Sequence, residues 1–376
     1  MCAHTHVSKK IITFACYYFS IMAQQLTIKQ IAEKAGVSVG TVDRILHNRG
    51  SVSEESRKAV EDVLSTCNYR RNIHKSAVAF KKTGKSIKLM VVMPSCSDGE
   101  FWSLVRDGIN RGLTEYGDIS IECKVVQFDS YDAYSCRNVF QSILEEDFHA
   151  VVIAPIFTEE TRTLCHQLSR RNIPYVFVDG KVPDVSSVGS YTVDQAACGK
   201  VMARLINAFT PADAEVGFFL PRVVGTLMAN NSHIRTSAFV EHFAKINPDR
   251  VLKEGFYSTD NPDRNIQEMK DFLAKNPNVK GVSVMISTSH LIVAALKALG
   301  RTDIVVGAYD LTSKNAECVR DGSLTFVIDQ HPEQQGFNCI ESLLHYLLYG
   351  DPDEDLLELL PIDVIMQENI TYWSVK

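Results

Sequence analysis

The 376-residue chain predicts an α/β protein: a two-lobed α/β body behind an N-terminal all-α helix-turn-helix domain. Three observations predict it. Residues 22–86 carry 12 Lys+Arg against 6 Asp+Glu, whereas residues 87–376 carry 25 against 39, so a basic segment precedes an acidic one. The basic segment holds three short amphipathic helical patterns, with a glycine turn between the first two. The acidic segment alternates β-rich apolar runs with helical stretches, the pattern of parallel sheets covered on both faces. The length accommodates two or three domains of about 100–200 residues. With 45% hydrophobic and 22% charged residues, the composition is that of a globular chain and not of a disordered one.

Residues 1–21 stand apart. Lys9 and Lys10 precede an apolar run from Ile11 to Ala23 that has the outline of a signal peptide. The run is shorter than the ~20 residues of a membrane span. A DNA-binding pattern begins directly after it and has no use in a secreted protein. Met22 is therefore the expected start, with residues 1–21 a non-native extension. The ten cysteines are scattered without a C-x-x-C pair. Neither a metal site nor a disulfide framework is expected, and reduced cytoplasmic thiols are the simpler reading.

In the head, Thr27-Ile28-Lys29-Gln30 has the form of a capping box. Ile28, Ile31, Ala32 and Ala35 fall on one face of a short helix, and Gly36 stands where a left-handed residue would end it. Ser38 can cap a second helix with Val42, Ile45 and Leu46 on one face and Gly40, Asp43, Arg44 and His47 on the other. After a loop containing Asn48 and Gly50, Ser53 caps a third helix with an inner stripe of Val60, Val63, Leu64 and Cys67. Three short helices in this arrangement describe a helix-turn-helix, whose second helix presents base-reading groups to the major groove. Arg44 suits guanine and Val39 a thymine methyl. Asp43 can accept from cytosine N4 or pair with a nearby arginine. Gly40 either permits close approach to the groove floor or is a weak helix position, at ~1 kcal/mol relative to Ala. Ser38, Thr41, Asn48 and Ser53 suit phosphate contacts, with capping as the other reading for Ser38 and Ser53.

The stretch LTIKQIAEKAGVSVGTVDRILHNRGSVSEESRKAVEDVLSTCNYRRN resembles the N-terminal domain of the lactose-repressor (LacI/GalR) family. The resemblance includes the A-G-V-S-x-x-T-V-x-R core, Val52-Ser53 and Asn68-Tyr69. It implies a homodimer on a pseudo-palindromic operator. It also implies that the second and third positions after the Ser38-Val39 start carry much of the base choice, together with Arg44. The segment after Tyr69 resembles the family's hinge helix, which orders on operator DNA. Two departures stand there: Arg71 replaces the usual Pro, and Val78 replaces the Leu that wedges into the minor groove. Lys75, Lys81 and Lys82 add phosphate contacts or form a solvated linker. The expected DNA-contacting residues are Thr27, Ser38, Val39, Gly40, Thr41, Asp43, Arg44, Asn48, Ser53, Asn72 and Val78. Thr83-Gly84-Lys85-Ser86 mimics the end of a phosphate-binding loop, but Ala79 occupies the required glycine position and a strand follows, so no nucleotide site is expected.

Strands are expected at residues 88–93, 121–128, 150–154, 175–178 and 190–193, and again at 215–220, 251–257, 281–286, 303–309 and 324–328. Two sets of strands separated by helices suggest two Rossmann-like lobes, with a ligand cleft at the carboxyl ends of the strands. Phe101 and Trp102 follow the first strand and offer faces for a sugar's C–H surface. Asp129, Asp179, Asp194 and Asp310 end or follow strands, where a carboxylate accepts from pairs of hydroxyls. Capping or turn chemistry is the other reading of each. No G-x-S-x-G, H-E-x-x-H or G-x-G-x-x-G stands in a suitable context, so no catalytic site is expected.

The body resembles the same family's periplasmic-binding-protein-like (type I) sensor. Val193-Asp194-Gln195 is similar to its V-D-N turn, and Ile234–Phe239 to its R-x-x-G-F helix with Ala238 for Gly, which makes Arg235 the sugar-binding arginine. Tyr309-Asp310 is similar to its Y/F-D strand end, and Val327–Gln330 with Gln335-Gly336 to its last ligand-side strand and helix. Thr288-Ser289 departs from the family's N-D, so a major carboxylate is missing there. The expected effector set is Phe101, Trp102, Asp129, Asp179, Arg235, Ser289, Asp310 and Gln330. Neither cofactor nor metal is expected.

The resemblance implies four segments: an extension at 1–21, the DNA-binding domain at 22–72, hinge and linker at 73–86, and the effector-binding domain at 87–376. The implied function is a cytoplasmic, homodimeric repressor with double-stranded operator DNA and a sugar-like effector as partners, and no membrane. No leucine heptad follows the body, which favours a dimer over a tetramer. The alternatives are a constitutive or partner-regulated repressor with a degenerate cleft, and a sugar-metabolising enzyme with a DNA-binding head.

Overall fold

The computed structural model describes residues 28–46, 52–66, 86–222, 230–350 and 356–373. It forms two units, Met1–Ala77 and Val78–Lys376.

The first unit contains α1 (Ile28–Ala35), α2 (Val39–Leu46) and α3 (Glu54–Thr66). Ile31, Ala32, Val42, Ile45 and Val60 form its core, with Ala35, Val37, Val52 and Val63 packed around them. These are inner-face positions of the 3.6-residue period, so burial of one stripe per helix holds the trio together. The turn between α1 and α2 runs through Gly36 at φ +67°, where a side chain would be strained. Val37 N–H then bonds back to Ala32 O at 3.0 Å, so the turn closes on the end of α1.

The second unit contains, in chain order, β1 (Ile87–Pro94), α4 (Phe101–Glu115), β2 (Ile121–Phe128), α5 (Ala133–Ile143), β3 (Ala150–Ile153), α6 (Thr158–Arg170), β4 (Tyr175–Val178) and β5 (Gly189–Val193). There follow α7 (Gln195–Phe209), β6 (Glu215–Pro221), α8 (Asn230–Ile246), β7 (Leu252–Tyr257), α9 (Pro262–Lys275), β8 (Val279–Val284), α10 (His290–Ala298) and β9 (Val305–Tyr309). Then come α11 (Ser313–Arg320), β10 (Phe326–Asp329), α12 (Pro332–Tyr349), β11 (Leu356–Leu360), β12 (Asp363–Ile365) and a short 3-10 helix (Ile370–Tyr372). The strands make two six-stranded sheets, in the orders β11-β5-β4-β3-β1-β2 and β12-β10-β9-β8-β6-β7. All pairings are parallel except β10 with β12. Central strands such as β3 (AVVI) and β4 (YVFV) are buried throughout, as helices on both faces require. Edge strand β2 alternates inward and outward residues at its start and end instead.

The sequence predicts ten strands, and the structure adds β11 and β12. Leu356, Leu357 and Leu359 of β11 are exposed on a sheet edge, so LLELL shows no inward alternation. β12 is only three residues long. Each of these strands completes a different sheet, and the chain passes between lobes three times, after β5, after β10 and after β11. The lobes also meet at the cleft: Ser313 N–H, at the start of α11, donates to Gly99 O in the β1–α4 turn at 3.0 Å.

Helices α7 and α8 lie unusually close. A Cβ on Gly199 of α7 would overlap the Arg235 carbonyl and approach Phe239 N to 2.9 Å and the Ala238 Cβ to 3.1 Å. Gly199 thus supplies the small residue for this contact, while Ala238 stands on the α8 side. The close approach brings the backbone of Arg235 directly against α7. Gly199→Ala is expected to overpack the pair and to cost ~1–3 kcal/mol of stability, read as a lowered urea midpoint. An unchanged midpoint would contradict this contact.

Candidate functional site

On the head, α2 buries Val42 and Ile45 and leaves Val39 (49% exposed), Gly40 and Arg44 outward. Ser38 Oγ accepts Thr41 N–H at 3.0 Å and lies 2.8 Å from Thr41 Oγ1. Ser53 Oγ accepts Ser56 N–H at 3.3 Å and donates to Ser56 Oγ at 2.8 Å. Both serines therefore cap their helices. Asp43 lies on α2. Thr27, Asn48, Asn72 and Val78 lie outside the described residues, as do Arg71, Lys75, Lys81 and Lys82.

The body gathers polar groups where β4, β5, β9 and β10 end. Arg235 projects from α8 and is only 4% exposed. A buried guanidinium needs its N–H groups satisfied. Arg235 Nε and Nη2 donate to Gln195 Oε1 at 3.0 and 2.6 Å, Nη2 also to Gln330 Oε1 at 2.9 Å, and Nη1 to Met285 O at 3.2 Å. Gln195 Nε2 in turn donates to Gln330 Oε1 at 2.9 Å, and Gln330 Nε2 to Asp310 Oδ1 at 2.6 Å. The guanidinium carbon lies 4.2 Å from the centroid of the Tyr309 ring, whose hydroxyl donates to Cys198 O at 3.0 Å. Cation–π contact and hydrogen bonds together hold one rotamer of Arg235.

Two carboxylates flank this cation. Asp179 follows β4 at φ +56° and Asp310 follows β9 at φ +64°. Such backbone strain in a non-glycine residue, of ~1–3 kcal/mol, persists only where the surroundings impose it. Burial pushes both carboxyls up to about 7, while Arg235 pulls each in the opposite direction. Among the described residues, Asp179 Oδ1 is buried with no partner in hydrogen-bonding geometry, although Asn231 also eases its charge. Asn231 Nδ2 of α8 donates to the Asp179 carbonyl, which ties the two lobes at this point.

Of the expected effector residues, Arg235, Gln330 and Asp310 are hydrogen-bonded into one cluster, with Asp179 in its electrostatic reach. The others are placed differently. Phe101 is buried, with its ring edge-on to Trp102 at 5.1 Å, so the half-buried Trp102 is the more accessible ring. Asp129 Oδ1 accepts Tyr131 N–H at 2.8 Å in a local turn. Ser289 Oγ donates to Asn315 Oδ1 at 2.9 Å. Asp194 caps α7 by accepting Ala197 N–H at 2.9 Å. Gln195 and Asn315 entered no expected set. Gln195 belongs to the V-D-Q turn, whose similarity to V-D-N was its only signal. An open surface groove of about 1050 Å³ beside α4 shares none of Arg235's partners. Among the described residues no cluster of His, Cys, Asp and Glu could hold a metal, and no helix is long and apolar enough to cross a membrane.

Comparison with known proteins follows the same division. Residues 89–351 match the periplasmic binding protein domain, and residues 27–72 match the lacI family of bacterial regulatory proteins. A Bacillus subtilis HTH-type transcriptional regulator, YkvZ, is 44% identical over 90 residues, 24% of this chain and 27% of its own length. The ribose operon repressor of Lactococcus lactis is 26% identical over 257 residues, 68% of this chain and 71% of its own. This chain thus spans well under two thirds of the first relative. A solved structure from Bacteroides fragilis, assigned as a LacI transcriptional regulator, superposes with a TM-score of 0.73 at 26% identity, covering 77% of this chain and all (100%) of that one. A solute-binding protein of Burkholderia graminis in complex with D-arabinose shares the fold at a TM-score of 0.67 and 15% identity, covering 77% and 98%.

The raised carboxyls make stability pH-dependent. In the unfolded chain both ionise near 3.8, and in the folded one near 7. The folded state therefore holds more protons between those values, and these groups lose stability for the fold as pH rises through that window. Their penalty is absent below pH ~4 and complete above pH ~7. Asp310→Asn is expected to unfold at higher urea than the parent at pH 8 and to lose that advantage toward pH 4, with a slope of up to ~1.4 kcal/mol per pH unit. A difference independent of pH would refute the buried-carboxyl account.

Proposed function

Because the chain belongs to the periplasmic-binding-protein domain family and carries a lacI-family regulatory head, we propose that it is a DNA-binding transcription regulator, a repressor, whose operator affinity is set by a small polyhydroxy molecule in the body's cleft. The observation that carries this reading is the buried Arg235 cluster between the strand ends. A guanidinium donates to ring and hydroxyl oxygens, and carboxylates accept from hydroxyl pairs, so the set suits a sugar or related polyol. With both carboxyls raised to about 7, Asp179 and Asp310 together carry roughly one negative charge near neutral pH, which Arg235 balances, so the cluster offers no net positive charge to an anionic ligand. The effector is accordingly a neutral sugar and not a sugar phosphate or acid.

The head supports the DNA half. Val39, Gly40 and Arg44 share an exposed helical surface, and the segment 22–86 is basic. The family match supports the further reading that the chain binds a two-fold operator as a homodimer in the cytoplasm and acts without catalysis. The domain bounds we assign are 22–72 for the DNA-binding domain, 73–86 for hinge and linker, and 87–376 for the sensor. Coupling between effector and operator of ~1–3 kcal/mol would change operator affinity 5–150-fold. A second reading, a constitutive or partner-regulated repressor, draws on the fact that Gln195 and Gln330 already fill much of Arg235's donor capacity.

Thermal unfolding with D-ribose, D-arabinose, D-allose, D-tagatose and myo-inositol separates the two. The sensor reading expects a neutral sugar at 100 Kd to add about 2.7 kcal/mol, and sugar phosphates to add nothing. No shift with any neutral sugar or polyol would favour the second reading. For the head, Arg44→Ala is expected to reduce discrimination among operator sequences by about 1–3 kcal/mol, measured on DNA fragments selected by the parent. Gly40→Ala provides a sharper contrast. Among the described residues, apart from its chain neighbours and its own helix backbone, only Ser38 Oγ lies within 4 Å of its Cβ position, at 3.8 Å. The fold should accept it and gain up to ~1 kcal/mol of helix stability, while operator affinity falls if the backbone lies against the groove floor. Equal affinity would remove that role from Gly40.

A further inference from the structure

Asn315 is the third residue of α11 and is fully buried. Its side chain reaches into two loops at once. Nδ2 donates to Ser287 O at 2.8 Å, Asp310 O at 2.9 Å and Tyr309 O at 3.1 Å. Oδ1 accepts Ser289 Oγ–H at 2.9 Å and His290 N–H at 3.1 Å. A carboxamide has two N–H groups and two acceptor lone pairs, so these contacts exhaust it. Nothing of Asn315 remains for a ligand.

The two loops follow β8 and β9, and they carry Ser289 and Asp310. Asp310 sits in the left-handed region, and its carbonyl is one of the groups Asn315 holds. Its carboxylate accepts from Gln330, which accepts from Arg235. A shift of the Tyr309-Asp310 turn would therefore reach the guanidinium through two hydrogen bonds. Ser289 directs its proton to Asn315, so it orders the rim through that bond.

We propose that Asn315 is a positioning residue of the effector rim, which fixes the Ser287–His290 and Tyr309–Asp310 loops relative to each other and so sets Asp310 toward Gln330 and Arg235. The assignment rests on the cleft reading given above.

Three full-length proteins test it: the parent, Asn315→Ala and Asn315→Asp. Amide hydrogen exchange without ligand is the first readout. In Asn315→Ala, segments 287–290 and 309–312 are expected to exchange at least tenfold faster, with β3, β4 and α12 unchanged. Titration with D-ribose, D-arabinose, D-allose, D-tagatose and myo-inositol is the second. The sugar that binds the parent is expected to bind Asn315→Ala about 10–100-fold more weakly. Asn315→Asp keeps the acceptor but, when ionised, faces three carbonyl oxygens. Its affinity relative to the parent is expected to be low at pH 8 and to recover several-fold at pH 5, where the acid regains a donor. This pH profile keeps the test intact if the alanine variant fails to fold. A purely structural role would lower the unfolding temperature and leave affinity and its pH profile untouched, which would overturn the proposal. Unchanged exchange in both loops would do the same. Failure of all five probes to bind the parent would count against the sugar reading, and the exchange result would then decide the loop-holding claim.

Discussion

The body is organised by the need to bury one guanidinium. Arg235 lies out of water, and a charge so placed is tolerated only with its donors matched and a counter-charge near. That requirement accounts for a long list of otherwise unrelated features. Gln195 at the start of α7 and Gln330 after β10 face each other through it. Tyr309 lies beneath it, and Asp179 and Asp310 flank it from two different sheets. Gly199 lets α7 and α8 approach closely enough to deliver it. Removing the arginine would leave two carboxyls and two carboxamides without their common partner.

The same arrangement is suited to a response. Groups from both lobes converge on one point, and each depends on the others for satisfaction. Asp179 keeps a buried oxygen with no well-placed partner among the described residues, and both carboxyls are held far above their ordinary range. A neutral polyol that donates to those carboxylates would relieve a cost already present in the fold. Effector binding would then favour the arrangement of lobes in which these groups meet, which is the differential affinity that coupling requires. Asn315 adds a second layer, because it holds the rim loops without facing the ligand.

Much of this is legible in the chain itself. The helix pattern of the head follows from Ile31, Ala32, Val42, Ile45 and Val60, whose period states which faces meet. Ten strands were legible because central parallel strands are short apolar runs. Asp179 and Asp310 stood at strand ends, and Arg235 and Gln330 stood in stretches similar to a family's ligand residues. The rest was hidden for physical reasons. Gln195 and Asn315 stand at or near helix starts, where polar residues normally serve as caps, and their bonds to Arg235 and Gln330 and to the loops after β8 and β9 depend on packing between elements distant in the chain. Phe101 turned inward because the first turn of α4 faces the core, which an aromatic pair after a strand does not announce. β11 escaped notice because its leucines are exposed on an edge.

Arg235→Lys tests the central claim most directly, since it preserves the charge between Asp179 and Asp310 but cannot make the fork of bonds to Gln195 and Gln330. Operator affinity should be measured for parent and variant, with and without the sugar that most stabilises the parent. The account predicts a change in operator affinity with sugar in the parent, an unaltered ligand-free affinity in the variant, and no response of the variant to sugar. A variant that still responds as fully as the parent would contradict it.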